Sequence, residues 1–461
     1  MAIERAYTLP HPPIAVPAIG HGQENGIAKT LLAFDEVARE IEVLAPETIV
    51  FVTPHNINYA DYFHISPGSF ASGDFARFGA PGTNFEALYD TEFVDEISRL
   101  AEYGGIPAGS IGKREAKLDH GVMVPMWFIN QRYSKYKTVR VSQSGMEPSA
   151  HYKLGQIISE AAGKTGRKTV LIASSDLSHK LKHDGPSGYS PEGPEFDKTI
   201  AEILSSGDFL RLFEISESLR EGAAECGYNS LMILAGCLDG RKVESRLLSY
   251  EGPFGVGYAI AAFVPGESDE TRNILEKTEE NSRKNAQKSR DTEDEYRTLA
   301  RRSLEHTVIN KGDLPVPDSL PDEMLTEKAG VFVSLHKDGL LRGCVGTIAP
   351  TTQNIAREII QNAVSAGLKD NRFNPISASE LPHLTYKVDV LSAPETISGP
   401  EDLDVKRYGV IVSSGYKRGL LLPNLDGIDT VEEQISIARK KAGISGSEKV
   451  VLERFEVIRH E

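Results

Sequence analysis

The first part of the chain alternates between strand-like and helix-like patterns of apolar residues. Continuous apolar and β-branched runs occupy residues 48–53 (TIVFVT) and 169–173 (TVLIA), and a weaker run occupies residues 138–141 (TVRV). Such runs are typical of strands that are buried on both faces of a sheet. Ahead of the first run, apolar residues recur at helical spacing: Leu31, Phe34, Val37, Ala38, Ile41 and Leu44. The alternation predicts an α/β domain of three layers with a central sheet.

A charged segment, residues 266–290, interrupts this alternation. It is nearly empty of large apolar residues, apart from Ile274 and Leu275. A segment of this composition cannot form a core of its own. We therefore predict a linker or a solvent-facing helix there, between a first domain at residues 1–265 and a second domain at residues 291–461.

The second domain shows more short strand-like runs than helical stripes. Thr292 and Glu295 match a capping box at the start of its first helix. The strand-like runs are residues 330–335 (GVFVSL), 385–391 (TYKVDVL), 409–413 (GVIVS) and 419–422 (GLLL). This order predicts a smaller α+β domain with an antiparallel or mixed sheet.

Composition and charge narrow the class of protein. A length of 461 residues suits two or three domains. The net charge of −15 argues against a nucleic-acid partner, because phosphate binding needs a basic surface. The 3 cysteines show no CxxC spacing, and free thiols suit a reducing compartment. There is no signal-peptide pattern and no apolar run of the ~18 residues that span a membrane, so we expect a cytoplasmic protein without a membrane partner.

Histidines follow two of the predicted strands, close to the point where each strand ends. His55 comes after TIVFVT, and His179 comes after TVLIA in SSDLSH. Ligands of open α/β sheets bind outside the carboxyl ends of the strands, so both histidines are expected at one crevice. His11 lies between stiffening prolines in LPHPPI, and His120 precedes an apolar segment in LDHGVMVP. A lone histidine after a strand is more often a surface residue, and the prediction of a site depends on the four together.

Four short motifs carry a resemblance to a known family: HPPI at residues 11–14, PHN at 54–56, DHG at 119–121 and SSDLSH at 174–179. Together, over residues 6–265, they resemble the class III extradiol dioxygenases, whose LigB-like fold the Memo proteins share. The resemblance implies a doubly covered α/β sheet, a divalent metal site with non-haem ferrous iron, and a small-molecule substrate.

The same resemblance assigns roles to the histidines. His11 and His55 match the two histidine metal ligands of the family. His179 matches the catalytic acid/base, and His120 matches a histidine that lines the substrate pocket. The implied activity is that of a metal-dependent oxidoreductase. The alternative is a Memo-like metal-binding redox or scaffold protein without ring-cleavage activity.

The third metal ligand has two alternatives, Glu225 and Cys226, which stand side by side in AAECGYNSL at residues 223–231. Dioxygenase members of the family have a carboxylate or a histidine here, and Memo proteins have a cysteine followed by glycine. Glu225 would complete a two-histidine, one-carboxylate triad, which suits ferrous iron. Cys226 would favour copper or zinc, and the pair Cys226 and Gly227 resembles the Memo pattern more closely.

The second domain contains the motif LRGCVGT at residues 341–347. Two glycines, one of them Gly343, flank Cys344 and indicate a tight backbone. Arg342 offers a fork of donors for an anion. Taken alone, the motif indicates a turn that contains a small buried cysteine.

In context, this motif carries a second resemblance. Together with KDNRFNPI at residues 369–376, KVDVLSAPE at 387–395 and RGLLLP at 418–423, it resembles the AMMECR family over residues 291–461. The resemblance implies a small α+β domain whose activity is not known. We single out Arg342, Gly343 and Cys344 for testing.

Two further inferences concern the second domain. If Cys344 is a nucleophile, His336 and Glu395 are its candidate bases. The fusion of a Memo-like and an AMMECR-like domain resembles a bacterial and archaeal arrangement, the AmmeMemoRadiSam type, in which the pair accompanies a radical SAM enzyme. That resemblance implies a joint pathway with a radical SAM partner.

Overall fold

The chain folds into two compact units, Met1–Thr278 and Glu279–Glu461. The computed structural model describes residues 3–337, 340–425, 428–446 and 448–461. The division between the units falls inside the charged segment that we predicted as a linker. Much of that segment is a helix, Ile274–Arg290, whose first two residues are buried. The domain boundaries at residues 265 and 291 stay predictions.

The first unit is built around a six-stranded mixed sheet. Its strands are β1 (Ile3–Leu9), β2 (Thr48–Thr53), β3 (Phe63–His64), β4 (Phe70–Phe75), β5 (Ala80–Leu88), β6 (Ala108–Gly109), β7 (Lys137–Ser142), β8 (Thr169–Ser174), β9 (Arg241–Glu251) and β10 (Tyr258–Ser268). The strand order of the main sheet is β7-β2-β8-β1-β10-β9. The first four strands run parallel, and β10 and β9 are antiparallel to their neighbours. A separate hairpin joins β4 and β5, and β3 pairs with β6.

Helices cover both faces of this sheet. They are α1 (Pro17–Gly20), α2 (Ala28–Leu44), α3 (Thr91–Tyr103), α4 (His120–Asn130), α5 (Pro148–Thr165), α6 (Glu192–Ser206), α7 (Glu217–Ala223), α8 (Tyr228–Cys237) and α9 (Ile274–Arg290), which continues into the second unit. Helices α2 and α4 contribute to the core on one face, and α3, α5, α6 and α8 to the core on the other. The three-layer α/β architecture predicted from the sequence is therefore confirmed.

The central strands owe their burial to apolar residues on both faces. In β2, Ile49 and Phe51 belong to one core, and Val50 and Val52 belong to the other. Because successive side chains of a strand point to opposite faces, such a run is stable only between two layers. The three predicted runs are confirmed as β2, β7 and β8.

The carboxyl ends of β1, β2 and β8 lie side by side. Ala173 of β8 is in register with Thr8 of β1 and with Val52 of β2. Residues that follow these strands therefore emerge at one edge of the sheet. Helix α4 begins beside the same edge, where the Ser174 hydroxyl donates a hydrogen bond to the backbone O of Gly121 at 2.5 Å.

The second unit is the smaller α+β domain that we predicted, and its described residues form two four-stranded antiparallel sheets. Its strands are β11 (Gly330–Lys337), β12 (Leu340–Gly346), β13 (Leu384–Leu391), β14 (Glu395–Thr396), β15 (Gly409–Ser414), β16 (Lys417–Leu421), β17 (Val451–Phe455) and β18 (Val457–His460). The orders are β12-β11-β13-β18 and β14-β17-β15-β16, and the neighbours are antiparallel. The helices are α10 (Glu295–Asn310), α11 (Asp322–Thr326), α12 (Ile355–Leu368) and α13 (Val431–Lys441).

The predicted capping box at Thr292 and Glu295 is wrong. Asp294 caps α10, because its carboxylate accepts the backbone N–H of Arg297 at 3.0 Å. The Thr292 hydroxyl instead donates to the backbone O of Ser289, near the end of α9, at 3.0 Å. Among the residues that the structure describes, no helix is long and apolar enough to cross a membrane.

Candidate metal centre

Three side chains from separate segments converge at the carboxyl edge of the main sheet. His11 follows β1, His55 follows β2, and Cys226 precedes α8. Nε2 of His11 lies 3.0 Å from Nε2 of His55 and 3.5 Å from Sγ of Cys226. The three atoms lie within 4.8 Å of one another. His11 is buried, Cys226 is half-buried and His55 is exposed, so the group is open on one side.

The hydrogen bonds of Ser174 determine the tautomer of His11. The Ser174 hydroxyl donates to the backbone O of Gly121 at 2.5 Å and lies 2.8 Å from Nδ1 of His11. Because the Ser174 hydroxyl proton is donated to the Gly121 carbonyl, the hydrogen bond between Ser174 and His11 must be donated by Nδ1–H of His11. The lone pair of His11 is therefore on Nε2, which faces His55 and Cys226. Partners that orient a histidine in this way are typical of metal sites.

These three residues fit a metal ion. Two nitrogens at about 2.0 Å from one tetrahedral ion lie about 3.3 Å apart, close to the 3.0 Å between the two Nε2 atoms. Burial lowers the pKa of His11 well below its ordinary value, and His55 and His120 lower it further. The imidazole is therefore neutral, as a metal ligand must be.

Of the two residues considered as third ligand, Cys226 faces the histidines and Glu225 does not. The Glu225 carboxylate accepts the backbone N–H of Tyr228 at 2.6 Å, at the start of α8. At Gly227, a Cβ would lie 2.7 Å from the backbone O of Asp176, so glycine permits the close approach of the two segments. Burial raises the pKa of the Cys226 thiol, and Asp176 and Glu225 raise it further. Ionisation of the thiol therefore needs a nearby cation.

His179 lies beside this group without belonging to it. Its Nε2 is 3.8 Å from Sγ of Cys226, and its backbone N–H donates to the O of Ala223 at 3.1 Å. Burial lowers the pKa of His179, and His55 lowers it further. The ring is therefore neutral near pH 7 and able to accept a proton next to the three ligand atoms.

A cavity of about 620 Å³ borders the exposed ring of His55. His120, Phe78, Met123 and Arg77 are among its lining residues. The ring of His120 stacks on that of His55 with centroids 4.1 Å apart, and the Phe78 ring meets the His120 ring in an edge arrangement with centroids 5.5 Å apart. Burial lowers the pKa of His120 to about 3, with further contributions from His55 and Arg77. His120 is therefore a neutral imidazole in the wall of the cavity.

Thr53, which sequence analysis did not single out, links two parts of the site. Its hydroxyl donates to Oδ1 of Asp119 at 2.6 Å and accepts the backbone N–H of His55 at 3.2 Å. Gly121 makes room for this contact, because a Cβ there would lie 2.4 Å from the Thr53 hydroxyl oxygen. The DHG motif thus joins the start of α4 to the end of β2.

Arg140 is a second residue that sequence analysis missed. It is fully buried in β7 and donates to the backbone O atoms of Glu115 and Lys117 at 2.6 and 2.8 Å. These bonds anchor the segment that leads to His120. An arginine within the apolar run TVRV was a usable signal, because a buried charge needs polar partners.

In the second unit, LRGCVGT forms the edge strand β12 instead of the turn that the motif alone indicated. Its glycines serve packing. A Cβ at Gly343 would lie 2.2 Å from the backbone O of Ala366 in α12, and a Cβ at Gly346 would lie 2.2 Å from the ring of Phe332. The glycines therefore let α12 and the neighbouring strand approach β12 closely.

The polar groups of this motif bind other residues of the unit. Arg342 forms an ion pair with Glu380 at 2.9 Å. The backbone N–H of Cys344 donates to Asp370 at 2.9 Å, and Arg372 donates to the backbone O of Cys344 at 3.2 Å. Asp370 and Arg372 are paired with each other at 2.7 Å. Together they cover the open edge of β12 at this residue.

The two candidate bases for Cys344 have other neighbours. Glu395 forms an ion pair with Arg454 in the second sheet at 3.2 Å. His336 lies opposite Leu341 in the pairing of β11 with β12. The Sγ of Cys344 accepts the hydroxyl of Ser334 at 3.2 Å.

Comparisons with known proteins agree with these observations. The family model for the catalytic LigB subunit of aromatic ring-opening dioxygenase matches residues 5–261, and the AMMECR1 model matches residues 297–460. A protein of Clostridium acetobutylicum is 41% identical over 468 residues, which cover 100% of this chain and 99% of that protein. A protein of Thermotoga maritima is 49% identical over 155 residues, which cover 33% of this chain and 89% of that protein.

Two solved structures are also similar. An uncharacterized protein from Pyrococcus horikoshii is 31% identical with a TM-score of 0.34, covering 36% of this chain and 88% of that chain. An uncharacterized protein from Escherichia coli K12 is 15% identical with a TM-score of 0.38, covering 57% of this chain and 99% of that chain. On the family match over residues 5–261 and the relative from Clostridium acetobutylicum, the chain belongs to the family of the catalytic LigB subunit of aromatic ring-opening dioxygenase, with an AMMECR1 domain at residues 297–460.

Proposed function

We propose that the first unit is a metal-dependent oxidoreductase of the class III extradiol dioxygenase type that acts on a small molecule. The observation that carries this proposal is the convergence of His11, His55 and Cys226 beside an open cavity. Two neutral histidines lie close by: His120 lines the cavity, and Nε2 of His179 is 3.8 Å from Sγ of Cys226. The family match over residues 5–261 supports the reaction class.

His11, His55 and Cys226 would hold the metal, and Ser174 would keep the lone pair of His11 directed at it. We propose ferrous iron, which the family resemblance implies. Copper and zinc are alternatives, because the thiolate of Cys226 is a softer ligand than a carboxylate. The metal would supply Lewis acidity toward a substrate hydroxyl group and, as ferrous iron, electrons for chemistry with dioxygen. Glu225 would not bind the metal; its carboxylate accepts the backbone N–H of Tyr228 at the start of α8.

His179 would act as the general base in this reaction. Its neutral ring lies next to the ligand atoms, with Nε2 at 3.8 Å from Sγ of Cys226. From there it would take a proton from a substrate hydroxyl and return it later. His120 would line the substrate position, where a neutral imidazole can donate or accept a hydrogen bond.

The variant His179→Ala tests this chemistry separately from metal binding. We expect it to keep its metal and to lose about 10²- to 10⁴-fold in rate, because a positioned base is removed. The measurement is oxygen consumption by the ferrous protein with a panel of catechols. His183→Ala, at an exposed histidine of the same segment, is the matched control and should behave as the wild type.

Two outcomes would contradict this assignment. Parallel loss of metal and activity in His179→Ala would make His179 a ligand. Full activity in that variant would leave the reaction without a base at this position. The wild-type rate should also fall as the pH drops through the pKa of His179, which lies below the ordinary 6.5 of a histidine.

A second function is favoured by one observation, the thiol of Cys226 where a carboxylate would suit ferrous iron better. In this alternative, the first unit is a Memo-like metal-binding redox or scaffold protein without ring-cleavage activity. Absence of oxygen consumption with every catechol by the ferrous wild-type protein would favour it over the extradiol reaction.

We also propose a cytoplasmic location and a joint pathway with a radical SAM partner, without nucleic-acid or membrane partners. The free cysteines and the net charge of −15 support the location and the absence of a nucleic-acid partner. The pairing of the two domains supports the pathway. Cell fractionation, and a pull-down that asks whether a radical SAM enzyme is retained by the full chain, test these proposals.

A further inference from the structure

Asp197 is a buried carboxyl group that the proposed reaction does not use. It lies in α6 and is 0% exposed. Its Oδ1 accepts the backbone N–H of Ser178 at 2.7 Å, and its Oδ2 accepts the hydroxyl of Tyr250 at 2.8 Å. Oδ1 of Asp197 therefore binds Ser178, which directly precedes His179, and Oδ2 is bound by Tyr250 of β9.

The segment before His179 is clamped from two sides. The backbone N–H of Gly257 donates to the O of Ser178 at 2.8 Å, and the N–H of Leu177 donates to the O of Gly257 at 2.8 Å. Gly257 has no side chain because Asp197 fills that space: a Cβ there would lie 1.9 Å from Oδ2 of Asp197. The backbone at Ser178 is thus held between Gly257 and Asp197.

The same clamp connects His179 to the segment that carries Cys226. The Ser178 hydroxyl and the His179 backbone N–H both donate to the O of Ala223, at 3.0 and 3.1 Å. Ala223 lies three residues before Cys226 in the chain. A shift of Ser178 would therefore change the distance between the His179 ring and Cys226.

We propose that Asp197 is a positioning residue for His179: by holding the N–H of Ser178 it keeps the His179 ring next to Cys226. The inference rests on the proposed role of His179 as the base. It requires no contact between Asp197 and the substrate. A base that is misplaced by about 1 Å can lose on the order of 10²-fold in rate, so a group that holds its backbone matters to the reaction.

The protonation of Asp197 gives this proposal a distinctive readout. Burial raises the pKa of Asp197 to about 7, although the bonds from Ser178 and Tyr250 lower it. The titratable group that faces it from β9 is the Tyr250 phenol, whose pKa burial and Asp197 raise. An ionised carboxylate is a stronger acceptor than a protonated one. The hold on Ser178 should therefore strengthen as the pH rises through about 7.

The experiment follows the ring signals of ¹³C-labelled histidines by NMR in the metal-free full chain. His179→Gln assigns the His179 signal by its loss. In Asp197→Ala we expect the His179 signal to shift or broaden by more than its linewidth, while the signals of His55 and His120 stay in place. Asp197→Asn keeps an acceptor for the N–H of Ser178 and should restore the signal.

The pH dependence and a control variant complete the test. Burial also raises the pKa of Asp176, three residues before His179, to about 7. The wild-type His179 signal should therefore show an inflection near pH 7 that Asp197→Asn reduces without abolishing it. Tyr250→Phe removes the bond to Oδ2 and leaves the bond to Ser178, so it should keep the wild-type signal. With a turnover assay, Asp197→Ala should lower kcat by about 10-fold or more with little change in KM.

The proposal is overturned if Asp197→Ala folds and leaves the His179 signal unchanged, or if the inflection near pH 7 is as large in Asp197→Asn as in the wild type. Should Asp197→Ala not fold, the pH comparison with Asp197→Asn decides alone. The signals are read without metal or substrate. A protein in which Asp197 positions His179 but His179→Ala keeps full activity would refute the proposed function and leave the positioning role intact.

Discussion

The two units use their motifs in opposite ways. In the first unit, ligand atoms of His11, His55 and Cys226 point at one another beside a cavity of about 620 Å³. In the second unit, Arg342 is paired with Glu380, and the backbone of the Cys344 residue is bound by Asp370 and Arg372.

A specific motif therefore indicates chemistry only where the fold leaves its functional atoms available. In the first unit, the hydroxyl groups of Ser174 and Thr53 bind the two histidine residues that the motifs mark. In the second unit, the glycines of LRGCVGT allow close packing, and the pair Asp370 and Arg372 covers the edge strand. We therefore propose a reaction for the first unit and none for the second.

The largest effect is expected from Gly343→Ala, which tests whether LRGCVGT serves the fold. A Cβ at Gly343 would lie 2.2 Å from the backbone O of Ala366, and backbone yields less easily than a side chain. We expect a loss of about 2 kcal/mol or more in the free energy of unfolding, as for overpacked cores. Hydrogen exchange of β12 and α12, with urea unfolding of the full chain, measures it.

Gly312→Ala is the matched control, because nothing lies within 4 Å of a Cβ at that glycine. It should leave exchange and unfolding as in the wild type. Equal behaviour of the two variants would mean that Gly343 is not needed for packing, and would reopen a chemical role for the motif.

A smaller effect concerns two buried carboxyl groups, one in each unit, with opposite pH dependence. Burial raises the pKa of Asp197 to about 7, so the folded state retains a proton that the unfolded state releases. Its contribution to stability is full below about pH 4 and is lost as the pH rises through about 7. The stability of the wild type relative to Asp197→Asn should therefore fall as the pH rises over this range.

Glu358 in α12 should behave in the opposite sense. Burial raises its pKa, but hydrogen bonds from Thr347, Thr352 and Thr351 outweigh burial and leave the pKa below its ordinary value of 4.5. Its contribution is present above that ordinary pKa and is lost as the pH falls through the lowered one. Urea unfolding of wild type, Asp197→Asn and Glu358→Gln across pH measures both, and slopes of the same sign would contradict the account.

Limited proteolysis tests whether the two units fold separately. Of the measurements proposed, it is expected to disturb stability least. We predict that the first cleavage falls within residues 266–290, which have many exposed polar residues. Both fragments should keep their circular dichroism. Early cleavage within residues 50–250 would show that the proposed boundary is wrong.

Much of the first fold could be predicted, because strands buried on both faces appear as continuous apolar runs. β2 and β8 are such strands. β1 and β9 carry polar residues, as in IERAYTL of β1, and did not stand out. In the second unit, glycine and arginine in β12 resembled a turn, because the sequence does not show that Ala366 and Phe332 approach the glycines.

The site was predictable where short motifs mark its residues. His11, His55 and Cys226 were named from motifs, and the structure brings them together. The residues that orient them could not be found in this way, because their partners are distant in the chain. Ser174 is 163 residues from His11, and a serine within a buried strand carries no local sign of such a bond.

We propose that His11, His55 and Cys226, and not Glu225, hold one metal. The most direct measurement is the metal content of anaerobically purified protein and of four variants. We predict about one equivalent in the wild type, large losses in His11→Ala, His55→Ala and Cys226→Ser, and full retention in Glu225→Gln, whose amide still accepts the N–H of Tyr228. Full metal in both histidine variants, or loss in Glu225→Gln with retention in Cys226→Ser, would contradict the claim.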